Sequence, residues 1–411
     1  MLDLAEFSND PVLARETLLA QLKVVGTAGE RAQLHYRLWE MCQVCGDEAA
    51  ALDHLNTAMH LDPIQQPDRP DAGTERRVVV MNVPGTFQAN APLAMLLDDS
   101  TALYTMWVSG EPDRREELAE RIRNLQPDVV VLAMGEDGRQ TAAILEAEAI
   151  GKASGVPVLN GGERIMHMAR STVPDILADI PGLLVPSCTV VRAPFNNLPD
   201  FPLLVRPVSS HAGNSLARID NRTAFGRYVH ETGASGYYYA TQFYDYVSKD
   251  GLYRKYRVVF VDGVPYPVHL AIHDDWAIWY YNAKMENFPE RRAEEARFMQ
   301  DMAAVFPSQV MEALYRIPPR IGLDYFGLDL GILQDETLVV FEVETAMIVH
   351  DRDPDDVFPY KSACIARIRQ AFERMIDRRA SVKKPLEKTL CAAFPDLLSG
   401  SSCHLFDKVI E

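Results

Sequence analysis

The sequence predicts three parts: an α-helical N-terminal region, a small α/β domain and a larger α+β domain. Apolar residues recur at helical spacing through residues 1–63. Short apolar strands then alternate with helices through residues 77–160, which is typical of a parallel sheet covered by helices. Long strands, a hairpin and few long helices follow in residues 161–385, as in α+β proteins.

The composition favours a folded cytoplasmic protein. The chain has 411 residues, of which 47% are hydrophobic and 24% charged, so two or three domains with sizeable cores are expected. A net charge of −17 argues against nucleic-acid and membrane partners, which require basic surfaces. The sequence shows no signal-peptide pattern and no apolar run that could span a bilayer, and its six cysteines do not suggest a disulfide framework.

Part of the N-terminal region, residues 1–63, resembles one tetratricopeptide repeat. One repeat cannot form a solenoid, so we favour helices packed on their own chain over a groove for a protein or peptide partner. Cys42 and Cys45 form a CxxC pair, which we interpret as two small apolar helix residues because no second pair or histidine follows at zinc spacing. The positions that match the repeat are Leu38, Gly46, Ala51, Leu55, Ala58 and Pro63.

The polar residues 64–76, rich in proline and glycine, predict a linker to the α/β domain. This domain, residues 77–160, is Rossmann-like in its alternation of strands and helices. It lacks the GxGxxG pattern that binds dinucleotides. Residues 386–411 form a C-terminal tail without a predicted element.

Acidic residues of a predicted hairpin near the C-terminus share one face of their sheet. With residues 334–337 as the turn, Asp329 pairs with Glu342, and Glu344 lies on the same face because side chains alternate along a strand. The other residues of the hairpin are Gly327 and Gly331, which leave space on the acidic face, and Leu328, Leu330, Ile332, Phe341 and Val343, which face the core.

Three carboxylates this close repel one another unless they are protonated or neutralised. A divalent cation resolves the repulsion, and Mg2+ prefers carboxylate oxygens and shares phosphate ligands with nucleotides. The alternative is a solvent-facing strand whose acids are hydrated, and the hairpin alone does not decide between the two.

A second motif lies upstream, where an apolar strand ends at Arg206 and a small polar loop follows. Such a loop is rich in backbone N–H groups and can fold over phosphates, with the arginine as counter-charge. Ordinary hairpin turns have a similar composition, and a loop histidine is more often a surface residue. The loop residues predicted to contact phosphate are Ser209, Ser210, His211, Gly213, Asn214 and Ser215.

A third motif combines an aromatic strand with a basic one. The backbone around Gln242, Phe243 and Tyr244 is placed to read the edge of an adenine. Lys255 and Arg257 belong to a basic cluster at the start of the next strand, for which a solvated edge is the alternative.

In this order the motifs resemble the ATP-grasp superfamily, and most closely its carboxylate–amine ligases of the RimK and glutathione-synthetase type. The resemblance spans about residues 160–374 and implies ATP and Mg2+ as cofactors. Asp329 and Glu342 match the metal ligands of the family, whereas Glu344 stands where asparagine is usual. Arg206 occupies the strand position of one of the lysines that usually bind the nucleotide phosphates. Near the position of the other, the sequence offers Arg170 and no lysine.

The resemblance implies an enzyme that activates a carboxylate as an acyl phosphate and couples it to an amine, releasing ADP and phosphate. Its substrates would be small molecules or peptides, and homo-oligomers are common among such proteins. Arg206 and Arg257 would act on the transferring phosphoryl group, with Arg257 steadying the acyl phosphate. A small-molecule kinase of the same fold is one alternative. A nucleotide-binding scaffold is another, because the phosphate-binding lysines are missing.

Further polar residues are candidates for the substrate pocket. His269 and His273 fall on one strand face and, with Lys284, could contact the acceptor, although structural histidines are as frequent. Residues after the hairpin could meet the substrate carboxylate, namely His350, Arg352 and Lys361.

Overall fold

The predicted fold class is confirmed: a helical N-terminal region, an α/β unit and an α+β unit follow one another along the chain. No helix of the described residues is both long and apolar enough to cross a membrane. The computed structural model describes residues 10–67, 74–85, 89–136, 138–193, 195, 197–208, 215–232 and 236–381.

Three helices open the described chain: α1 (Pro11–Leu22), α2 (Ala28–Val44) and α3 (Glu48–Leu61). Each begins where a side-chain oxygen accepts a hydrogen bond from the amide of the third helical residue, an amide that has no partner inside the helix. The capping residues are Asp10, Thr27 and Asp47.

The N-terminal helices pack on their own chain. The ring of Trp39 meets that of Trp107 edge to face, with centroids 4.9 Å apart. Arg121 binds Asp62 at 2.6 Å. Cys42 is buried in the same apolar cluster as the two tryptophans, as expected of a structural residue. The likeness to a tetratricopeptide repeat stays a prediction.

The first sheet has five strands in the order β1-β3-β2-β4-β5, packed against helices α4 (Arg115–Leu125) and α5 (Thr141–Ser154). Residues 64–76 were predicted as a linker. Their first two residues form a short strand, Ile64–Gln65, and their last residue begins another, Arg76–Asn82. Four strands are parallel and β1 is an antiparallel edge: β1 (Ile64–Gln65), β2 (Arg76–Asn82), β3 (Thr101–Trp107), β4 (Val129–Leu132) and β5 (Val158–Leu159).

The second sheet is antiparallel and has the order β7-β10-β8-β9. Its strands are β7 (Cys188–Arg192), β8 (Leu203–Pro207), β9 (Ala217–Ile219) and β10 (Tyr237–Gln242).

The third sheet has the order β12-β11-β13-β14-β6, in which only β6 pairs in parallel. Its strands are β6 (Leu183–Leu184), β11 (Tyr253–Val261), β12 (Val264–His273), β13 (Tyr325–Ile332) and β14 (Leu338–Glu344).

The described residues form four apolar clusters, two of them built mainly by the N-terminal helices and one in each of two sheet lobes. The first and third sheets share one core, which includes Val79, Phe260 and Phe372. The second sheet and helix α8 have a separate core around Phe225 and Tyr238. The remaining helices are α6 (Gly162–Met166), α7 (Val173–Ile176), α8 (Arg222–Thr232), α9 (Pro289–Gln300), α10 (Met302–Val305), α11 (Ser308–Arg316), α12 (Pro318–Ile321) and α13 (Lys361–Ser381).

Candidate functional site

The β13–β14 hairpin pairs Asp329 with Glu342, as predicted. Nearer the turn the register shifts by one residue, so that Phe341 forms a β-bulge. The Phe341 ring covers Gly331, where a Cβ atom would lie 2.8 Å from it. The prediction that Phe341 faces the core on the opposite side of the sheet is therefore wrong. The space predicted beside Gly331 is filled by Phe341, and the space predicted beside Gly327 is filled by Met347.

Four side chains form a row across the third sheet. His269 on β12 pairs with Arg257 on β11, Arg257 pairs with Asp329 on β13, and Asp329 pairs with Glu342 on β14. Residues paired in this way share a face of the sheet, and neighbours have Cβ atoms about 5 Å apart. We call these four residues the charged row.

Asp329 is neutralised by two cations on the same face. Arg257 donates to it from Nε at 2.8 Å and from Nη2 at 3.0 Å, and Nζ of Lys255 lies 2.7 Å from the carboxylate. Burial alone raises the pKa of a carboxyl group, but the two cations outweigh burial and hold the pKa of Asp329 well below its ordinary value. Asp329 is thus a buried carboxylate with both oxygens occupied. Lys255, predicted to bind the nucleotide, is engaged here by Asp329.

Glu342 forms an ion pair with Arg170, which lies in the turn after helix α6. Burial raises the pKa of Glu342, whereas Arg170 lowers it, and the net result is a pKa below the ordinary value. Arg170, predicted as a phosphate ligand, therefore reaches the hairpin from a segment 172 residues earlier in the chain.

Glu344 differs from the other two acids, because among the described residues no cation forms an ion pair with it. One oxygen accepts a hydrogen bond from the Ala346 amide at 2.9 Å. Burial, and then the neighbouring Glu342, raise the pKa of Glu344 to about 7. The three acids therefore have different protonation behaviour within one hairpin.

The hairpin also touches the carboxyl end of strand β4. Thr345 donates to the Met134 carbonyl at 2.8 Å, and a Cβ atom on Gly135 would lie 3.7 Å from the Glu344 carboxylate. The parallel strand order reverses between β2 and β4, and α/β sheets bind ligands beyond the carboxyl ends of their strands at such a reversal. The acids thus lie beside the carboxyl end of β4, next to the position where such sheets bind ligands.

The second sheet contributes a basic and aromatic face to the site. Arg206 on β8 pairs with Tyr239 on β10, and the half-buried Cys188 lies on β7. Burial, and then the charge of Arg170, lower the pKa of Arg206, and the charge of Glu342 also acts on it. The sequence argument missed Tyr239 and Cys188, although alternation along β10 places Tyr239 on the face of Arg206.

Most of the predicted phosphate loop lies outside the described residues, namely Ser209, Ser210, His211, Gly213 and Asn214. Ser215 is exposed, and its carbonyl accepts a hydrogen bond from the Tyr228 hydroxyl. The strands on both sides of the loop pair up to Val205 and Ala217. The ends of the loop are therefore held beside Arg206.

The predicted adenine edge is partly occupied. The Phe243 amide donates to the Pro202 carbonyl at 3.1 Å, and the Gln242 side chain donates to the same carbonyl at 3.3 Å. Tyr244 is 36% exposed and makes no hydrogen bond within the described part of the chain. Of the three predicted residues, Tyr244 is the one that makes no hydrogen bond within the described part of the chain.

Lys361 belongs to a buried network. Its ammonium lies 2.8 Å from Asp353 and 3.6 Å from Glu295, and it contacts the Tyr280 hydroxyl. Glu295 is 0% exposed and also accepts from the Tyr360 hydroxyl at 2.6 Å. These contacts explain Lys361 as a structural residue.

Other candidates for the substrate pocket are engaged locally. His273 accepts a hydrogen bond from the Asp275 amide at 2.9 Å, and His350 accepts one from the Arg352 amide at 3.4 Å. Lys284 is exposed and forms no ion pair with any described residue.

The acids fit Mg2+ in their chemistry, since carboxylate oxygens are its preferred ligands. Their present pairing does not hold a metal. Within the described ranges, no group of three or more histidine, cysteine or acidic side chains surrounds a common metal position. Arg170 is paired with Glu342, and Arg257 and Lys255 are paired with Asp329, whereas Glu344 has no ion pair among the described residues. A divalent cation could therefore reach Asp329 or Glu342 only where one of these side chains moves away.

No family model and no curated protein matches the chain. Among solved structures, the chain is similar to the VanG D-Ala:D-Ser ligase of Enterococcus faecalis, with 10% identity, a TM-score of 0.44, and coverage of 73% of this chain and 99% of that one. It is also similar to a RimK domain ATP-grasp protein of Sphaerobacter thermophilus, with 15% identity, a TM-score of 0.43, and coverage of 72% and 98%. An L-amino acid ligase of Bacillus licheniformis has 15% identity, a TM-score of 0.38, and coverage of 66% of each chain. The inference of function therefore rests on the geometry of the site.

Proposed function

We propose that the chain is an ATP-dependent ligase of the ATP-grasp type, which activates a carboxylate as an acyl phosphate and couples it to an amine. The observation that carries this proposal is the charged row, in which Arg257 lies beside the paired acids Asp329 and Glu342. Phosphoryl transfer needs acids that hold Mg2+ and a cation beside the transferring group, and the row supplies both.

The charged residues divide into two sets by position. Asp329, Glu342 and Glu344 would hold Mg2+, which when bound neutralises charge on the phosphates. Arg170 and Arg206 carry their charge to the same space and would bind the nucleotide phosphates, with Arg170 leaving Glu342 to do so.

Arg257 is suited to hold the acyl phosphate. Its Nε and Nη2 groups are fixed by Asp329, whereas Nη1 makes no hydrogen bond to any described residue. A guanidinium fixed along one edge presents its remaining N–H groups in a defined direction. Such fixed N–H groups stabilise the charge of the transition state more than that of the flexible substrate. Lys255 adds positive charge at the same point.

Calorimetric titration of Mg·ATP tests the proposal. The wild-type protein is expected to bind, and Glu342→Ala is expected to bind roughly tenfold more weakly or worse, because a metal ligand is lost. Glu312→Ala removes an acid on helix α11 whose side chain is 68% exposed, and this control should bind like the wild type. Absence of Mg·ATP binding by the wild type would remove the ligase proposal.

A screen of acid and amine pairs for ADP release then separates ligase from kinase. Amide formed together with ADP and phosphate supports the ligase. A phosphorylated product that accumulates without consumption of the amine supports a small-molecule kinase of the same fold.

The scaffold alternative is favoured by one observation, the occupation of both Asp329 oxygens by Arg257 and Lys255. If this pairing is permanent, Mg·ATP does not bind and the titration shows it. Substrate size, homo-oligomer formation and a cytoplasmic location stay predictions.

A further inference from the structure

His269 is the outermost member of the charged row and lies directly beside Arg257. Its side chain is partly exposed, and its ring centroid lies 4.5 Å from that of Tyr280. Neither ring nitrogen makes a hydrogen bond to any described residue. The imidazole is therefore held in place by packing while both nitrogens are open to a ligand.

The surrounding charges keep this imidazole neutral. Arg257 and Lys255 approach it from β11 and Lys361 approaches from helix α13, whereas the acid Asp329 on β13 is already bound by both β11 cations. Burial, and then the charge of Arg257, lower the pKa of His269 well below its ordinary value. A neutral imidazole is a proton acceptor.

We propose that His269 is the catalytic base that takes the proton from the acceptor amine, an inference that rests on the proposed ligase function. Arg257 lies between the acids and His269 in the row. An acyl phosphate held on Arg257 therefore has the acids on one side and the imidazole on the other, with neighbouring Cβ atoms about 5 Å apart. An amine that approaches from the side away from the acids comes within reach of the ring.

The chemical step is balanced. The amine nitrogen uses its lone pair to form a bond to the acyl carbon, the bond from that carbon to the phosphate oxygen breaks, and phosphate leaves with the electron pair. The extra proton on nitrogen moves to a ring nitrogen of His269. The negative charge of the acyl phosphate offsets the positive charge of Arg257. The pKa of the imidazole therefore rises when acyl phosphate is bound, which is when the amine must lose its proton.

His230 provides a control histidine outside the site. It lies in the last turn of helix α8, where its side chain is exposed. Helix α8 packs on the second sheet, whereas the charged row lies on the third. Replacing His230 removes an imidazole without changing the row.

Two acceptors separate acid activation from proton removal, using an acid that supports ADP release. Hydroxylamine traps acyl phosphates and is already unprotonated at neutral pH, so it has one proton to lose, after the attack. An alkyl amine is mostly protonated at that pH and must lose one proton before the attack and one after it, so it depends more on a base. His269→Gln is expected to lower kcat/KM for the amine about a hundredfold and to form hydroxamate close to the wild-type rate. The limb of the pH–rate profile that reports the imidazole should disappear, and His230→Gln should match the wild type with both acceptors.

Equal losses of amide and hydroxamate in His269→Gln would show that the residue only supports the structure, and the base assignment would be overturned. Amide formation by His269→Gln at the wild-type rate would overturn the base assignment as well.

A measurement without substrate distinguishes failure of this inference from failure of the ligase proposal. NMR signals of His269 are assigned by comparing the wild type with His269→Gln. The ring is expected to be neutral at a pH of about 6, below the ordinary histidine pKa, and to become more basic when Mg·ADP and inorganic phosphate are added. A ring that is protonated at that pH, or that does not respond to phosphate, overturns the inference whatever the screen of acids gives.

Discussion

At the scale of single residues, the three acids of the hairpin show how charge neighbours set protonation. Asp329 has two cationic partners and Glu342 has one, and the pKa of each lies below its ordinary value. Among the described residues Glu344 forms no ion pair, and its pKa is raised by burial and then by Glu342. Glu344 therefore adds to the hairpin a carboxyl group whose pKa lies near 7.

The raised pKa of Glu344 predicts a pH-dependent stability. Its folded-state pKa of about 7 exceeds the ordinary 4.5, so protonation stabilises the folded protein below pH 4.5 and this contribution is lost as the pH rises through 7. Because Glu344 is partly exposed to water, we expect this contribution to the free energy of unfolding to be about 1–2 kcal/mol. The free energy of unfolding is measured in urea with EDTA. Between about pH 5 and pH 8, that of the wild type should fall by this amount relative to that of Glu344→Gln.

Glu312→Gln, an exposed substitution on helix α11, is the control and should show no such change relative to the wild type. An equal stability difference between wild type and Glu344→Gln at both pH values contradicts the prediction.

At the scale of elements, the pairing of Asp329 with Glu342 was predictable, because alternation along both strands and a polar turn together set the register. The bulge at Phe341 was not predictable, since a regular hairpin satisfies the same pattern. Tertiary packing of the Phe341 ring on Gly331 and Tyr246 selects the bulge. Local pattern thus determined which residues pair, and packing determined where the ladder is irregular.

Strand β3 does not fit the short apolar strands that the sequence predicted for residues 77–160. Its buried residues Ala102, Tyr104 and Met106 alternate with half-exposed ones, a period of two that is present in the sequence TALYTMW. The ion pair between Arg170 and Glu342 had no such signal, because its partners meet only after the chain has folded.

Close packing at the hairpin predicts the effect of an added methyl group. A Cβ atom on Gly327 would lie 2.7 Å from Cβ of Met347, closer than real contacts allow. Gly327→Ala is therefore expected to lower the free energy of unfolding by about 1–3 kcal/mol, measured by chemical denaturation. Gly226→Ala lies in helix α8, where no heavy atom comes within 4 Å, and should be neutral or stabilising by up to about 1 kcal/mol. Equal stabilities of the two variants would contradict the packing argument.

At the scale of the whole molecule, the site joins two separately packed lobes. Arg170 lies between Met168 and Val173, which belong to the large core, and Arg206 lies on the sheet of the small lobe. Both arginines carry charge to the space above Glu342. A phosphate held between them would connect the lobes, so nucleotide binding and lobe position are expected to be linked.

The N-terminal helices are part of this larger structure, and their contact with the sheet predicts how the molecule unfolds. Trp39 is 6% exposed and packs on Trp107, which is 2% exposed. Trp39→Ala should therefore cost about 3 kcal/mol and lower the temperature of the calorimetric transition in which the first sheet unfolds. Tyr315→Ala changes a surface ring that is 58% exposed and should alter stability by less than about 0.5 kcal/mol. If Trp39→Ala instead produces a separate early transition and leaves the main one unchanged, the helices fold independently of the sheet.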